Sequence, residues 1–563
     1  DTWKSNMLMI GEYGDQYIHT TQTESFIDNF NYEITPKTSD TPEIRTRNDN
    51  AVNFNKIYLE PYDNVDNLQA TREKLVEDFN VGQNFILFVG HSNISSLTKP
   101  TVLMNLQQAI DTKYDVPPVM YFSSCDVGRY DGGQTSFIDK LLLNPDGGII
   151  AAVAATREAY TSLNGRLTDS FAKYLGISES DSRFYAKYEK TWGRVLMFAK
   201  NFSTDRSRNR LKYHLLGDPA MLVDIPCDRT EVTEVNGVAA SKGIAIGAMT
   251  PITIKGRVRN DAGEVDTDFN GYAKISLYDS EKYYITQGDE MLTERGAELA
   301  VTSADVTAGE FTATIIAPNC ITTDDKEKPL QVTAVSNDGT VVSGFYNGLT
   351  FDRSLSAVSD DTTAPTINAF YINDKSTFKD GMEVESSLRL KAEVTDDVAI
   401  NLSHEQIATT AYISIDGGEH VYPVCSYQLD GADNCIIDQG IYNLKSGRHT
   451  AELVVADMSG NVATRTIAFY VAVSDNATLT IDTTALIHSV TFDVENADNY
   501  TDAQLVVSDN SGNVVLRTDV GSFPYTWDGS DNNGNRLAEG NYNATAIIDG
   551  KSLRQKKIVV VKQ

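Results

Sequence analysis

Two apolar stretches, each followed directly by a chemically reactive residue, constrain this chain most. Residues 85–90 run into His91, and residues 119–124 run into Cys125. Short apolar runs that stop abruptly are typical of buried parallel strands, and ligands bind at the carboxyl edge of such sheets. If the two strands are neighbours, His91 and Cys125 face each other there. An imidazole beside a thiol makes an activated nucleophile.

Each of these residues also has a structural interpretation. A single buried cysteine is commonly a small hydrophobe, and a single histidine is commonly a satisfied core residue. The occurrence of both at strand ends favours a catalytic pair. Of the five cysteines, Cys425 and Cys435 could close a loop, and Cys227 and Cys320 could pair or stay free. Cys125 then remains as the unpaired thiol.

Charge and hydropathy restrict the partners. The chain of 563 residues has 48 Lys and Arg against 78 Asp and Glu, a formal charge of −30. This balance disfavours nucleic acid or an anionic membrane as a direct partner. No apolar run approaches the roughly 20 residues that a membrane helix needs, so no direct membrane insertion is expected. Because the chain starts at Asp1, we expect a mature, truncated or processed product.

The pattern of predicted secondary structure changes near residue 227. Before that point, apolar strands alternate with predicted helices, which predicts a parallel sheet covered by helices. The helices are expected at residues 67–79, 136–143, 162–174 and 183–201. After residue 227, short alternating strands and Asn, Asp and Gly turns predict β-sandwiches. The predicted domains are residues 1–227, 228–361, 362–474 and 475–563.

Several motifs resemble those of the gingipain family of caspase-fold cysteine peptidases. They are Gly90-His91 and Ser124-Cys125, supported by residues 8–12, 147–156 and 215–223. Downstream, residues 364–368, 378–382, 444–453 and 456–461 resemble the β-domains that follow the peptidase in the sortases of type IX secretion. The resemblance implies a multidomain α/β plus all-β chain. A caspase-like α/β sheet domain, expected to be only its C-terminal half, precedes three Ig-like β-sandwich modules.

The resemblance also implies roles for site residues. Cys125 is the expected nucleophile, His91 the expected base, and Glu12, at the end of the first strand, the residue that orients the histidine. The backbone N–H groups of Cys125 and Ser92 are the expected oxyanion donors. Gingipains have glycine where this chain has Ser92. The resemblance therefore does not determine the backbone conformation of this loop.

Substrate recognition is less clearly marked. Gingipains bind a basic side chain through an acidic residue after the orienting carboxylate, and the matching region here does not align cleanly. Asp15 is the candidate carried forward, with Glu24 as a second, so no Arg or Lys preference is predicted. Thr156 and Tyr160 are the candidates for the other pocket wall. His19 is either a pocket residue or a surface histidine.

The resemblance implies a sortase-type reaction at the surface of a Gram-negative bacterium. The expected partners are secreted cargo with a C-terminal sorting domain, an outer-membrane β-barrel, anionic lipopolysaccharide as acceptor and the missing N-terminal half of the same protein. Two alternatives stay open: a secreted gingipain-like endopeptidase with an export tail, and a catalytically dead surface adhesin. No cofactor and no metal are expected. The acidic stretch 527–534 is predicted to be a hairpin turn rather than a calcium loop.

Overall fold

The computed structural model covers the whole chain and describes most of its residues. The described residues are 1–12, 15–35, 44–47, 51–59, 75, 78–79, 81–98, 104–105, 116–145, 147–177, 189–285, 291–357, 361–397, 400–401, 411–418, 420–421, 425–427, 434–441, 444–473, 477–495, 500, 502–553 and 556–561.

A six-stranded sheet forms the centre of the first domain. The strands of this part of the chain are β1 (Asn6–Gly11), β2 (Tyr32–Thr35), β3 (Ile44–Arg47), β4 (Asn53–Tyr58), β5 (Phe85–Val89), β6 (Ser92–Asn93), β7 (Ser96–Leu97), β8 (Met104–Asn105), β9 (Val119–Ser123), β10 (Ala151–Ala155) and β11 (Tyr213–Leu216). The central sheet has the order β11-β10-β9-β5-β1-β4. All of its neighbouring pairs are parallel except β10 with β11. The two motif strands, β5 and β9, are therefore neighbours, which is the condition for His91 and Cys125 to share one sheet edge.

Helices cover the two faces of this sheet, as the alternation of strands and helices predicts. They are α1 (Ile18–Asn31), α2 (Phe137–Leu142), α3 (Thr161–Gly176) and α4 (Trp192–Phe202), with short 3-10 helices at Thr2–Ser5, Asp15–Tyr17, Asn209–Lys212 and Arg353–Leu355. Three of the predicted helices correspond to α2, α3 and α4, while most of the predicted helix 67–79 lies outside the described residues. Apolar side chains of the strands are fully buried on both faces, because each face carries its own layer of helices.

The rest of the chain is built from strands, as the short alternating apolar runs after residue 227 predict. They are β12 (Cys227–Asp228), β13 (Thr230–Val235), β14 (Val238–Ala239), β15 (Ile244–Ile246), β16 (Pro251–Val258), β17 (Gly271–Tyr278), β18 (Lys282–Ile285), β19 (Met291–Glu294), β20 (Glu298–Val306), β21 (Glu310–Ile316), β22 (Glu327–Ser336), β23 (Val341–Phe351), β24 (Thr366–Ile372), β25 (Glu383–Val384), β26 (Leu388–Thr395), β27 (Tyr412–Ile415), β28 (His420–Val421), β29 (Cys425–Tyr427), β30 (Asn434–Ile441), β31 (Gly447–Ala456), β32 (Val462–Val471), β33 (Thr478–Ile481), β34 (Ala485–Leu486), β35 (Val490–Glu495), β36 (Ala503–Asp509), β37 (Val514–Asp519), β38 (Tyr525–Trp527), β39 (Gly540–Ile548), β40 (Lys551–Ser552) and β41 (Lys556–Val560).

These strands form three successive pairs of sheets, each pair enclosing an apolar core. Alternation of buried and exposed residues, as along most of β21, is the pattern of a strand with one face on the core. Cys435 lies opposite Tyr427 rather than opposite Cys425 in the β29–β30 pair. The acidic stretch 527–534 lies in a turn that a bridge between Ser530 and Arg536 closes, as predicted.

Hydrogen bonds connect the first domain to the first β-sandwich. The Lys56 ammonium donates to the carbonyl of Thr293 at 2.7 Å, and the hydroxyls of Ser5 and Thr333 lie 3.3 Å apart. A polar cleft of about 660 Å³ lies along this junction. Within the described residues, no helix combines the length and apolarity needed to cross a bilayer.

Candidate active site

The predicted catalytic residues follow three adjacent strands at one edge of the central sheet. Gly11 of β1 is in register with Val89 of β5, and Val89 is in register with Ser123 of β9. His91 and Cys125 therefore each lie two residues beyond paired positions, and Glu12 lies one residue beyond β1. The topology brings all three to the carboxyl edge, where α/β sheets carry their ligands.

Glu12 is buried beneath the loop that carries the histidine. Its side chain is only 2% exposed, and its Oε2 accepts a short hydrogen bond from the backbone N–H of His91. Gly90 makes this contact possible: a Cβ at this position would lie 2.6 Å from Glu12 Oε2 and 2.7 Å from Glu12 Cβ. The glycine before His91 therefore provides the space that the carboxylate occupies.

Ser92 joins the histidine loop to the cysteine loop. Its hydroxyl donates a short hydrogen bond to the carbonyl of Cys125, and its side chain is buried. Beneath this contact, the Thr168 hydroxyl donates to Ser123 at 2.9 Å, and the Tyr213 hydroxyl donates to the Ser124 carbonyl. Burial raises the pKa of Tyr213 well above its ordinary value, so the phenol keeps its proton as a donor. These bonds hold the end of β9 in place.

The Cys125 thiol is free, partly exposed and turned toward the loop before α3. Its Sγ donates to the carbonyl of Ala159 at 3.1 Å, and the N–H of Ala159 lies 3.4 Å from the sulfur. No hydrogen bond joins Sγ to the His91 ring in the described part of the chain. The next residue, Asp126, has a φ of +51°, which a non-glycine residue seldom adopts and which turns the chain sharply after the thiol.

Asp15 and His19 surround the His91 ring. The Asp15 Oδ2 atom lies 3.5 Å from Nε2 of His91 and 3.8 Å from Nε2 of His19. The two imidazole rings meet edge to face, with centroids 5.1 Å apart. His19 is 1% exposed, so its predicted alternative as a surface histidine is wrong.

Burial is the main reason that the pKa of His19 falls to about 4, with the neighbouring His91 as the second cause. Asp15 opposes this shift. His19 is therefore neutral at neutral pH.

The other residues predicted to bind substrate differ in their exposure. Tyr160 is 68% exposed at the start of α3, and the Lys212 ammonium lies 4.8 Å from its ring centre. Thr156 is buried, and its hydroxyl donates to the Lys212 carbonyl at 3.2 Å. Glu24 accepts hydrogen bonds from Lys56 at 2.7 and 3.0 Å, so it is already paired at the domain junction.

Sequence reasoning did not identify Ala159 as the residue that contacts the thiol. An alanine carries no chemical signal, because it acts here through its backbone groups. The sequence marks His19 as a candidate pocket residue, but its contact with His91 depends on how α1 packs against β1 and β5. Only its position one helical turn after Asp15 could have suggested that both side chains share a face.

Comparison with known proteins defines the class of each end of the chain. Residues 1–224 match the model of peptidase family C25, and residues 474–549 match the FlgD Ig-like domain. A domain of a peptidase family at the start of the chain is thus accompanied by an Ig-like domain near its end. No curated protein matches the chain.

Three solved structures show low similarity to the chain. Dimeric latent PorU from Porphyromonas gingivalis is 21% identical, with 74% of this chain and 41% of that one covered and a TM-score of 0.30. The Arg-specific cysteine proteinase gingipain R (RgpB) is 16% identical, with 62% and 68% covered and a TM-score of 0.30. The complex of the pro- and mature domains of Porphyromonas gingivalis RgpB is 15% identical, with 62% and 69% covered and a TM-score of 0.29. The chain spans about two fifths of the length of the PorU chain.

The α/β domain at the start of the chain therefore belongs to a family of cysteine peptidases. Residues 1–224 are a domain of peptidase family C25, the gingipain family, and the resemblance noted in the sequence is confirmed over this range.

Proposed function

We propose that the chain is a cysteine peptidase of the sortase type, with Cys125 as nucleophile and His91 as base. The observation that supports this most directly is the placement of both residues at matching positions beyond paired parallel strands, with Ser92 bonded to the Cys125 carbonyl. Glu12 holds the His91 backbone, and the Asp15 carboxylate lies beside its ring. This arrangement suits an imidazole that takes a proton from a neighbouring thiol.

The reaction begins when the Cys125 sulfur leaves the backbone of Ala159 and turns toward the His91 ring. Thiolate attack on a peptide carbonyl forms a tetrahedral oxyanion, which the N–H groups of Cys125 and Ser92 stabilise. His91 then gives its proton to the departing amine, and an acyl-thioester remains on Cys125. The partial exposure of the thiol and of the His91 ring allows a substrate to reach both.

The acceptor of the acyl group decides the biological role. Water would release a cleaved peptide, whereas an amine would form a new amide bond from the same thioester. Under our proposal, the cargo is a secreted protein that loses its C-terminal sorting domain and is transferred to an amine of anionic lipopolysaccharide. The chain would act at the outer-membrane surface, bound to a β-barrel partner and to the N-terminal half of the peptidase domain.

A thiol-reactive peptide probe tests the catalytic pair. The full chain should label at Cys125, and Cys125→Ala should abolish both labelling and peptide cleavage while circular dichroism stays unchanged. His91→Ala should lower the rate by about 10²–10⁴-fold, as removal of a general base does. The exposed His214, in the same domain, serves as the matched control through His214→Gln. Cleavage by Cys125→Ala at the original rate would refute Cys125 as the nucleophile, whereas an unchanged chain that neither labels nor cleaves would favour the dead adhesin.

An acceptor assay separates sortase from endopeptidase. A peptide carrying a sorting-domain junction is incubated with the enzyme and an amine-bearing acceptor, and the products are analysed by mass spectrometry. The proposal predicts the amide of peptide and acceptor in preference to the free acid. Free acid alone, at every acceptor concentration, would identify a gingipain-like endopeptidase.

A further inference from the structure

The side chains of Glu12, His19 and His91 converge on one point at the sheet edge. Each offers one ligand atom, and the three atoms all lie within 4.8 Å of one another. They come from three separate elements: the end of β1, the first turn of α1 and the loop after β5. This convergence is a product of the tertiary fold, and the sequence expectation of no metal did not include it.

The carboxylate of Asp15 lies beside the two histidines of this cluster. Its distances of 3.5 and 3.8 Å to the Nε2 atoms of His91 and His19 are close to those between neighbouring ligands of one metal ion. Zinc binds nitrogen and oxygen at roughly 2.0–2.2 Å, so movements of less than about 1 Å would bring these atoms into its coordination sphere.

The two ring nitrogens of His19 have different surroundings. Nε2 lies 3.8 Å from Asp15, whereas Nδ1 is buried without a hydrogen-bond partner among the described residues. Because the two nitrogens point in different directions, Nε2 is the atom that would bind an ion beside Asp15. The other side of the cluster is open, because the side chains of His91 and Asp15 are 39% and 49% exposed. An ion could therefore enter from solvent.

We propose that Glu12, His19 and His91, together with Asp15, form a reversible binding site for a divalent transition-metal ion, with Zn²⁺ as the best match. Two imidazoles and carboxylate oxygens are a typical zinc ligand set, whereas Ca²⁺ and Mg²⁺ prefer oxygen ligands alone. The site does not use the Cys125 thiol. Metal binding at His91 therefore differs from capture of an ion between the thiol and the histidine.

Occupancy of this site should switch the peptidase off. A metal ion on the His91 ring occupies the lone pair that would otherwise accept the thiol proton. This consequence rests on the proposed function, whereas metal binding itself does not. The enzyme would stay latent where zinc is plentiful and become active where zinc is removed.

Metal binding is measured first on the catalytically inert Cys125→Ala chain. After treatment with EDTA and its removal, the chain is titrated with Co²⁺ by visible absorption and with Zn²⁺ by calorimetry. We expect one ion per chain. Adding His19→Gln should weaken binding at least tenfold, and so should Asp15→Ala. Because Asp15 has a φ of +45°, circular dichroism checks the fold of this variant. Adding His214→Gln should leave the affinity unchanged.

Two results would overturn the metal site. One is the absence of stoichiometric binding to Cys125→Ala; the other is binding that neither His19→Gln nor Asp15→Ala weakens. Binding that is lost in Cys125→Ala but unchanged in His19→Gln would identify a thiol–histidine site instead.

Inhibition is then measured on the chain with Cys125 intact. Zn²⁺ should stop peptide cleavage, EDTA should restore it, and Ca²⁺ should have no such effect. Asp15→Ala should raise the zinc concentration needed for half inhibition at least tenfold, relative to its own metal-free rate. A metal-free chain that cleaves no peptide refutes the proposed function and leaves the binding result standing. Cleavage that bound zinc does not slow refutes the inhibitory role.

Discussion

At the scale of single residues, the histidine loop depends on a buried carboxylate. Glu12 accepts from the N–H of His91, while the Asp15 carboxylate lies 3.5 Å from the ring. Glu12 thus contacts the backbone of the histidine loop and Asp15 contacts the imidazole. Under the proposed function, the two carboxylates share the orienting role. A carboxylate that fixes the direction of a catalytic histidine affects rate without taking part in bond making.

Replacing Glu12 should therefore slow turnover while leaving the fold intact. Glu12→Gln keeps an oxygen that can accept from the His91 N–H, so we expect a loss of roughly tenfold, below the 10²–10⁴-fold expected for His91→Ala. Glu12→Ala leaves that buried N–H without its carboxylate and should also cost about 1–3 kcal/mol of stability. Steady-state cleavage and thermal unfolding measure the two effects. A Glu12→Gln rate equal to that of the unchanged chain would show that the carboxylate has no orienting role.

At the scale of elements, the parallel strands explain what could be predicted. The apolar runs at 85–90 and 119–124 allow no water-exposed face, so they indicate buried parallel strands and place His91 and Cys125 at one edge. Three helices followed from apolar periodicity. The contacts of His19 with His91 and of the thiol with Ala159 could not be predicted, because they depend on helix packing and on loop backbone angles. Both are long-range properties that no local pattern encodes.

The end of β5 offers a test of how tightly this edge is packed. In Gly90→Ala the new methyl would collide with the Glu12 side chain. Because the neighbour is the carboxylate that holds the His91 loop, we expect at least a tenfold fall in kcat/KM and a fall of a few degrees in Tm. Gly133→Ala, at a position with open space and a φ of +73°, measures the effect of backbone strain without a side-chain collision. Full activity in Gly90→Ala would mean that Glu12 can move without disturbing His91.

The contact between α1 and α3 contains a carboxylate that should destabilise the domain at neutral pH. Asp169 of α3 is partly buried and accepts from the Ser25 hydroxyl of α1 at 2.8 Å. Burial raises the pKa of Asp169 above its ordinary value. The folded state therefore binds more protons than the unfolded state just above the ordinary pKa, and stability falls as pH rises through that window.

Asp169→Asn removes this cost and still accepts from Ser25. We expect a higher Tm by a few degrees at neutral pH and a smaller difference below the ordinary Asp range, where the native carboxyl is protonated in both states. Calorimetric scans of both chains at neutral pH and near pH 3 measure this dependence. A gain that is equal at both values would assign the effect to packing instead of charge.

At the scale of the whole molecule, hydrogen bonds join the first and the last β-module to different neighbours. Lys56 and Ser5 of the peptidase domain hydrogen-bond to Thr293 and Thr333, which both belong to the first β-sandwich. The last module instead contacts the module before it: Tyr470 donates to the Asp549 carbonyl at 3.1 Å, and Lys551 donates to the Val473 carbonyl at 3.0 Å. Removing the last module therefore breaks none of these bonds of the peptidase domain.

Deletion of residues 475–563 should therefore affect retention at the cell surface without affecting peptide cleavage. We expect the truncated chain to cleave a small peptide at nearly the full rate, because the sheet edge and its supporting sandwich remain. Under the sortase proposal, the same deletion should abolish retention at the cell surface, because we propose that the last module docks to the β-barrel partner. Cell fractionation and an assay of the purified truncated chain measure the two properties. Normal surface retention would assign docking to another module, and loss of peptide cleavage would mean that the β-modules stabilise the catalytic domain over a longer range than these contacts indicate.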